Sequence, residues 1–320
     1  MPKNKLRVVV KTLIKETSDI IRITLADYKG GELPKWRAGA HIDLYLKNNL
    51  IRQYSLSNDP NEKDHYEIAV LKEENGSGGS RFIHENFHEG MELEISKPRN
   101  HFSLMPDAKY YILLAGGIGI TPIMAMIEEL ESQKKNYLVY YCTRTIEKTA
   151  FWERLLSGAS AGKVHIHHDN GDPKLGFDFE SVLKEYKHDT SLYYCGPPSF
   201  MKAIEVSTKD WPRSSLNYEY FSKANKNAEK EVSKTSFNIK ISSTGQVFEV
   251  PCESSIIQVL REHNFAVDTS CEDGFCGTCM TRYLEGKPEH RDSVLDEEDR
   301  KQFVLICCAR SKTPTLVLDL

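Results

Sequence analysis

The chain has 320 residues, of which 40% are hydrophobic and 28% are charged, and its formal net charge is −4. This length predicts two or three domains, each large enough to bury its own core. The slightly acidic balance argues against nucleic acid as the main partner, and no apolar run approaches the roughly 18 residues that a membrane span needs. Eight cysteines without an export leader predict a cytoplasmic protein with reduced thiols.

Residues 1 to about 103 contain short β-rich segments separated by Gly, Pro, Asn and Asp. They are Leu6–Ile14, Ile20–Leu25, His41–Leu46, Gln53–Ser57 and Tyr66–Leu71. Short strands at this spacing predict an antiparallel β-barrel over residues 1–103.

Two motifs in this segment are candidates for binding a phosphorylated cofactor. Arg52-Gln53-Tyr54-Ser55 ends a predicted strand, and an arginine can pair with a phosphate while a tyrosine lies against a flavin. Asn75–Ser80 is a loop of small residues whose backbone can cradle a phosphate. Taken alone, each motif is explained equally well by an ordinary strand end or a flexible turn.

From residue 104 to 221 strands and helices alternate, which predicts a parallel α/β sheet. The strands are predicted at Tyr110–Ala115, Tyr137–Tyr141, Val164–His167 and Leu192–Tyr194. After the first strand, Gly116-Gly117-Ile118-Gly119 leads into a helix with Thr121 as N-cap and Pro122 in the first turn. After the last strand, Cys195-Gly196-Pro197 stands where α/β sheets bind ligands, although a buried cysteine explains it as well.

Three histidines beside an aspartate, His165, His167, His168 and Asp169, look like metal ligands. On a strand, however, residues 165 and 167 share a face and residue 168 points away from it. The favoured interpretation is a strand end whose Asp169 contacts a cofactor ribose. Arg144 ends the preceding strand and has two interpretations, a surface arginine or a ligand of adenosine phosphates.

Residues 222–235 carry no large apolar residue except Val232 and are predicted to be a linker. Residues 236–320 predict a further domain, with a helix from about Ser255 to His263 and strands at Phe237–Ile241, Val247–Val250, Leu305–Cys307 and Leu316–Leu318. This segment has nine Lys and Arg against fourteen Asp and Glu, a net charge of −5. The excess is either a solvated face or a surface that steers a basic partner.

Three cysteines share one glycine-bearing loop as Cys271-x4-Cys276-x2-Cys279, and Cys307 follows after 27 further residues. This is the plant-type ligand spacing of a [2Fe–2S] cluster, and it predicts an electron-transfer protein. Zinc is the main alternative, but structural zinc sites usually pair their ligands in two short knuckles. Gly274 and Gly277 favour the cluster, since glycine lets backbone N–H groups approach the sulfurs.

A nicotinamide gives up two electrons together as a hydride, whereas a [2Fe–2S] cluster accepts one. A chain with both sites therefore needs a carrier that can do both, and a flavin is such a carrier. The first segment is the only place left for it.

Taken in chain order, the motifs R-x-Y-S, GGS, GG-x-G-x-TP, CGPP and C-x4-C-x2-C with a terminal LVLDL resemble the phthalate dioxygenase reductase and vanillate demethylase reductase family. The resemblance spans essentially the whole chain. It implies a flavin-binding β-barrel (1–103), a parallel α/β nicotinamide-binding domain (104–221), a linker (222–235) and a β-grasp ferredoxin-like domain (236–320). It also implies an NADH-dependent reductase that passes electrons through FMN and the cluster to a terminal Rieske-type oxygenase.

The resemblance implies roles for individual residues as well. FMN would be held by Arg52, Gln53, Tyr54, Ser55, Ala69, Val70, Leu71, Gly78, Gly79, Ser80 and Thr121. NADH would be held by Gly116, Gly117, Gly119, Arg144, Asp169, Gly196 and Pro197. The implied catalytic residues are Cys195, beside the nicotinamide, and Phe221, against the flavin ring. The implied cluster ligands are Cys271, Cys276, Cys279 and Cys307, with Cys308 as a packed neighbour.

The chain also departs from the family pattern. Relatives carry an arginine where Ser77 stands, and Arg81 is a candidate substitute for its phosphate contact. Short segments look most like the reductase component of carnitine monooxygenase, namely Leu71–Glu74, Gly78–His84, His165–His168 and Ile306–Arg310. Open alternatives are a reductase of an aromatic-acid dioxygenase or O-demethylase, a stand-alone NAD(P)H diaphorase, and a non-enzymatic iron–sulfur sensor or carrier. NADPH also stays open, because Arg144 can serve a 2′-phosphate.

Overall fold

The computed structural model describes residues 5–47, 50–74, 76, 78–157, 160, 162–221, 235–267, 269, 271–274, 277–292, 294–295 and 297–320. They form two compact units, Met1–Glu219 and Tyr220–Leu320. Ser77, Cys276 and all but the last residue of the predicted linker 222–235 lie outside the described residues.

The first unit begins with an antiparallel sheet that closes on itself. Its elements are β1 Lys5–Lys15, β2 Ile20–Asp27, β3 Ala40–Tyr45, β4 Ile51–Ser55, β5 His65–Leu71, α1 Gly79–Asn86, β6 Glu92–Ser96 and β7 Arg99–Asn100. The strand order is β4-β3-β6-β1-β2-β5, with β7 beside β3. A bridge between Leu56 and Ile68 joins the end of β4 to β5, so the predicted barrel forms.

Alternation of apolar residues explains why these segments are strands. On β1, Val8 and Val10 are buried, and on β3 so are Ile42 and Leu44. Because successive side chains of a strand point to opposite faces, such i, i+2 pairs line the interior of the barrel.

The second part of the first unit is a parallel sheet in the order β10-β9-β8-β11-β12. Its elements are β8 Tyr110–Gly116, α2 Ile120–Ser132, β9 Asn136–Thr143, α3 Trp152–Leu155, β10 Val164–His168, α4 Phe179–Leu183, β11 Thr190–Cys195, α5 Pro198–Ser207 and β12 Leu216–Glu219. The chain moves outward from β8 to β10 and then returns to the other side of β8 with β11. The sheet therefore has a switch point between β8 and β11.

Ion pairs join the barrel to the parallel sheet inside the first unit. Glu67, on β5, is 5% exposed and pairs with Arg22 of β2 at 2.7 Å. Its other oxygen pairs with Arg154 of α3 at 2.9 Å, and Arg154 also reaches Glu128 of α2 at 3.0 Å. A buried carboxylate needs compensating partners, and Glu67 takes one from each part of the unit. The barrel and the sheet are therefore held in one arrangement.

The second unit is a mixed sheet with one helix. Its elements are β13 Phe237–Ile241, β14 Val247–Val250, α6 Ile256–Glu262, β15 Met280–Glu285, β16 Pro288–Glu289, β17 Phe303–Leu305, β18 Arg310–Ser311 and β19 Thr315–Leu318. The main sheet has the order β14-β13-β19-β15-β17, in which β13 and β19 run parallel, and β16 pairs with β18. Ser255 begins α6 with a capping box to Gln258, and Ile256 and Leu260 are buried in the core.

The predicted fold class, a β-barrel, a parallel α/β sheet and a ferredoxin-like sheet, is confirmed. Several details were wrong. The N-cap of α2 is Gly119, and Thr121 lies inside the first turn with its hydroxyl donating to the Ile118 carbonyl at 3.1 Å. The predicted strand Leu305–Cys307 ends at Leu305, and Cys307 lies in the following turn. The predicted small-residue loop already contains the start of α1 at Gly79.

None of the helices in the described parts of the chain is long and apolar enough to cross a membrane. The limits of the three domains and of the linker stay predictions.

Candidate cofactor-binding sites

The carboxyl edge of the parallel sheet brings together two glycine-containing turns. A Cβ atom on Gly119, after β8, would lie 2.2 Å from the Cys195 carbonyl oxygen at the end of β11. A Cβ atom on Gly196 would lie 2.6 Å from the Phe200 ring and 3.0 Å from the Gly116 Cα. Only glycine permits these approaches, so the two turns touch at the switch point, where α/β sheets bind ligands.

Gly117 differs from the glycines around it. Its φ is +53°, and a Cβ atom built on it would meet nothing within 4 Å. A glycine is therefore needed at position 117 because of the left-handed backbone, and not because of close packing. The open side of this turn leaves room for a ligand to approach the backbone. Pro197 closes the opposite turn, with its Cδ 2.9 Å from a Cβ built on Gly116.

The next two strands contribute Arg144 and Asp169 to the same edge. Arg144 follows β9 and is exposed, and Asp169 follows β10 and is half-buried. The Asn170 N–H donates to the Arg144 carbonyl at 2.8 Å, and the Gly171 N–H donates to Asp169 Oδ1 at 2.8 Å. The two turns are thus tied together, and Asp169 already holds its own turn through one carboxylate oxygen.

The three histidines beside Asp169 have separate partners. The His165 ring stacks on Tyr140 with centroids 5.1 Å apart. His167 Nε2 lies 2.7 Å from the Leu175 carbonyl oxygen, and His168 Nε2 lies 3.0 Å from the Thr149 hydroxyl.

Cys195 is completely buried at the end of β11. Burial and the neighbouring Glu219 carboxylate raise the pKa of its thiol well above the usual value. The thiol therefore stays protonated at neutral pH, which suits a contact with a neutral ring and not a nucleophile.

In the barrel, β4 and the start of α1 lie side by side. A Cβ atom on Gly79, the first residue of α1, would lie 2.6 Å from both Cγ and Nε of Arg52. Gly78, immediately before the helix, has a φ of +88°. An arginine across a helix N-terminus supplies a positive charge and backbone N–H donors together, and this combination fits a phosphate.

The rest of β4 also fits a bound flavin. Gln53 Nε2 is buried and has no hydrogen-bond partner among the described residues, which is unusual for a buried polar atom. Burial raises the pKa of the Tyr54 phenol, so its hydroxyl remains a donor. Ala69 to Leu71 end β5, on which Ala69 and Val70 are buried. Ser80 Oγ accepts from the Glu73 N–H at 3.0 Å, and Thr121 is 2% exposed.

The barrel meets the parallel sheet at two residues that the sequence did not single out, His41 and Glu219. The Ser55 hydroxyl donates to Glu219 Oε2 at 3.4 Å, and His41 Nδ1 lies 3.9 Å from Glu219 Oε1. Glu219 ends β12 directly beside Cys195 of β11. The contact brings a strand of the barrel and a strand end of the parallel sheet to one point.

In the second unit, three cysteines of the predicted ligand set are described, namely Cys271, Cys279 and Cys307. Cys279 and Cys307 are 3% and 7% exposed, and the Ile306 N–H donates to the Cys279 carbonyl at 3.4 Å, which brings the two segments together. The Asp273 N–H donates to Cys271 Sγ at 3.4 Å. Backbone donors to sulfur are typical of iron–sulfur sites.

The loop before Cys279 is curled by residues in the left-handed region. Glu272, Gly274 and Gly277 have φ values of 56°, 79° and 74°. A Cβ atom on Gly274 would lie 2.7 Å from Cys308 Sγ, so the half-buried Cys308 packs beneath this loop. Phe221 is half-buried and belongs to the second unit, and its predicted role at the flavin stays a prediction.

Comparisons with known proteins agree with this geometry. The family described as an oxidoreductase NAD-binding domain matches residues 113–206, and the family described as a 2Fe-2S iron-sulfur cluster binding domain matches residues 239–312. The first range covers the glycine turns of the parallel sheet, and the second covers the cysteine loop. The fold and the two sites thus define an oxidoreductase with a nicotinamide site and a [2Fe–2S] cluster.

Whole-length relatives define its family. The chain is 43% identical over 327 residues to the tert-butanol monooxygenase / tert-amyl alcohol desaturase reductase subunit of Aquincola tertiaricarbonis, covering 100% of this chain and 97% of that protein. It is 44% identical to the vanillate O-demethylase oxidoreductase of Pseudomonas putida, covering 95% and 96%. The solved structure of phthalate dioxygenase reductase, described as a modular structure for electron transfer from pyridine nucleotides to [2Fe-2S], matches with 40% identity and a TM-score of 0.76, covering 99% and 98%. The chain belongs to the phthalate dioxygenase reductase and vanillate O-demethylase oxidoreductase family.

The predicted family is therefore confirmed. The carnitine monooxygenase reductase subunit of Escherichia coli is also a relative, at 36% identity over 95% of each chain. Because this identity is lower than those of the relatives above, the comparison does not favour a carnitine oxygenase over the other oxygenases as the partner.

We expect Gly119→Ala to weaken NADH binding by at least about tenfold, because its Cβ atom would collide with backbone and not with a side chain that can move. Gly31→Ala is the matched control, since its nearest contact would be an ordinary 3.5 Å to Asp27. Titration of each purified variant with NADH measures the difference. Equal affinity in both would contradict the steric role of Gly119.

Proposed function

We propose that this protein is the NADH-dependent reductase component of a two-component oxygenase. It takes electrons from NADH at the carboxyl edge of the parallel sheet and delivers them, through FMN and the cluster, to a separate terminal oxygenase of the Rieske type. One observation carries the proposal. The contact between Ser55 and Glu219, at 3.4 Å, joins the flavin-binding strand to the strand beside Cys195. A nicotinamide at Cys195 would then be a neighbour of a flavin on β4.

The nicotinamide site is assigned to the two glycine turns and the strand ends beside them. Gly116, Gly119 and Gly196 let the turns approach, and Gly117 presents its backbone to the ligand. The protonated Cys195 thiol would contact the nicotinamide without adding a charge. Arg144 and Asp169 would face the adenosine half, and Asp169 favours NADH because a carboxylate hydrogen-bonds a free ribose and repels a 2′-phosphate.

The flavin site is assigned to β4, the end of β5 and the start of α1. Arg52 and the N–H groups of α1 would hold the phosphate, and Gln53 Nε2, which has no partner in the described part of the chain, would donate to the ring. Arg81, in the first turn of α1, is exposed and is the candidate for the charge that relatives place at Ser77. When bound, a flavin accepts the two electrons of a hydride together and releases them one at a time.

The cluster is assigned to Cys271, Cys276, Cys279 and Cys307. The two buried thiols, Cys279 and Cys307, exclude water from their side of the site, and Cys271, which is partly exposed, lies on the outer loop. Backbone donors such as the Asp273 N–H would stabilise the charge on the sulfurs. A cytoplasmic location suits this chemistry, since thiolate ligands must stay reduced before they bind iron.

The partner is assigned by charge as well as by similarity. The net charge of −5 over residues 236–320 would steer this end of the chain toward a basic surface on the oxygenase. Relatives named as reductases serve alcohol, vanillate, phthalate and carnitine oxygenases. A carnitine system is the specific candidate from the short segment matches, and an aromatic-acid system is the alternative.

We expect Arg52→Ala to weaken FMN binding by about 10- to 100-fold, because it removes a charge-assisted contact to the phosphate. Arg7→Ala, which removes an exposed arginine of β1 paired with Glu92, is the control and should leave FMN binding unchanged. FMN retained after dialysis, measured by absorbance, distinguishes the two. Full retention in Arg52→Ala would contradict the phosphate role, and a loss in Arg81→Ala would assign Arg81 to it as well.

We expect Cys276→Ser to abolish electron delivery to cytochrome c, while NADH-driven ferricyanide reduction by the flavin stays within about twofold of the unmodified protein. Serine keeps the size of the side chain but removes a cluster ligand. Cys252→Ser, at an exposed cysteine outside the ligand set, is the control. Loss of both activities with the flavin retained would show that the proposed order of carriers is wrong.

We expect oxygenase turnover only when a Rieske-type oxygenase is added, with a rate that falls as salt is raised because opposite charges guide the encounter. Reconstitution with carnitine and aromatic-acid oxygenases, scored as product formed per NADH consumed, identifies the partner. Rapid NADH oxidation that none of these oxygenases couples to product would favour a stand-alone diaphorase. Absence of NADH-dependent bleaching under argon would favour an iron–sulfur sensor.

A further inference from the structure

His41 is a buried histidine whose hydrogen bonds are incomplete. It lies on β3 directly opposite Ser55 of β4, and it is 2% exposed. Neither of its ring nitrogens has a hydrogen-bond partner among the described residues. Buried polar groups are nearly always satisfied, so an imidazole with two unused nitrogens calls for a functional explanation.

The carboxylate nearest to His41 is that of Glu219. His41 Nδ1 lies 3.9 Å from Glu219 Oε1, and the Ser55 hydroxyl donates to Glu219 Oε2 at 3.4 Å. Both contacts are longer than a good hydrogen bond, and a shortening of about 1 Å or less would complete them. The imidazole and the hydroxyl therefore flank one carboxylate, one at each oxygen.

The charged and titratable groups around His41 come from four strands and from His101, which follows β7. Asp43 lies on the same strand and is paired with Arg99 of β7 at 2.7 Å. His101 stacks on His41 with ring centroids 5.7 Å apart, and Glu219 of β12 has Cys195 of β11 beside it.

These surroundings keep the imidazole neutral. Burial, followed by the charges of Arg99 and His101, lowers the pKa of His41 to about 3. At neutral pH the ring therefore has one N–H donor and one acceptor. It can donate to a carboxylate without becoming the cationic half of an ion pair.

We propose that His41 is a positioning residue, whose Nδ1–H donates to Glu219 Oε1 and holds this carboxylate against Ser55. The inference rests on the proposed function in one respect, since Ser55 is assigned to the flavin-binding strand. A fixed Glu219 would then keep its negative charge at a fixed place beside the flavin site. Because such a hydrogen bond favours the ionised carboxylate, we expect its removal to favour the protonated form of Glu219.

Three substitutions at position 41 test the geometry of this bond. His41→Leu removes the donor, so the titration of Glu219 should move up by about one pH unit. In His41→Asn the amide nitrogen takes the place of Nδ1, and the titration should stay close to that of the unmodified protein. In His41→Gln the amide takes the place of Nε2, and the titration should move as in His41→Leu.

Infrared difference spectroscopy during a pH titration reads the protonation of Glu219 directly, and Glu219→Gln identifies its band. His65→Gln is the matched control, because His65 lies in the same barrel beside Asp64 and Glu62 at its surface. An unchanged Glu219 titration in folded His41→Leu would overturn the inference, as would equal shifts in the Asn and Gln variants.

A second measurement needs no substitution that risks the fold. In protein with ¹⁵N-labelled histidine, NMR should show His41 as the neutral Nδ1–H tautomer from about pH 5 to about pH 9. The spectrum of His41→Asn assigns its signals. A neutral Nε2–H tautomer, or a cationic ring within this range, would overturn the inference.

FMN content, measured in the same samples, separates this inference from the proposed function. If the titration of Glu219 shifts in His41→Leu while the unmodified protein also binds no FMN, the positioning role is supported and the proposed flavin site is contradicted. If FMN binds normally and the titration of Glu219 does not shift, the proposed flavin site is supported and the positioning role is contradicted.

Discussion

The arrangement of both proposed cofactor sites in the first unit depends on one buried carboxylate, that of Glu67. It accepts from Arg22 of the barrel and from Arg154 of the parallel-sheet part, with 2.7 Å and 2.9 Å between the paired atoms. Because a buried charge that loses a partner is costly, separation of the two parts is opposed by the loss of Arg154 from Glu67, which would keep only Arg22. Hydride transfer needs its reacting groups within a few ångström, and this ion-pair network supplies the fixed geometry.

The proposed nicotinamide site shows a second constraint, which is steric. Gly119 has a φ of −62°, so any residue fits its backbone, and only the Cys195 carbonyl oxygen excludes a side chain there. Gly117 has the opposite character, because its φ of +53° demands glycine while the space beside it is open. One turn thus uses glycine for close packing and for exposing backbone, two functions that a sequence motif does not distinguish.

Much of the fold could be predicted because hydrophobic alternation and glycine turns are local signals. The strands Phe237–Ile241 and Val247–Val250 have the predicted limits, and the helix after Ser255 begins with the capping pattern that its sequence carries. The spacing of the cysteines was equally informative, because cluster ligands must come from one tight loop and one distant residue. Cys307 is in a turn and not on a strand, because β17 ends at Leu305.

His41 and Glu219 could not be found in the same way, because their importance comes from tertiary contacts. His41 belongs to an ordinary strand pattern and becomes notable only through its register opposite Ser55. Glu219 ends an edge strand of four residues and becomes notable only beside Cys195. Local sequence carries no signal for pairings between residues that are far apart in the chain.

Three of the titratable groups buried around this junction are uncharged, whereas the buried Asp43 is paired with Arg99. Burial lowers the pKa of His41 to about 3 and raises those of the Cys195 thiol and the Tyr54 phenol, so all three are neutral at pH 7. Among its contacts, the Glu219 carboxylate accepts a hydrogen bond from the Ser55 hydroxyl at 3.4 Å. A buried surrounding keeps electrostatic interactions strong at short range, so the placement of this one carboxylate matters more than it would in water.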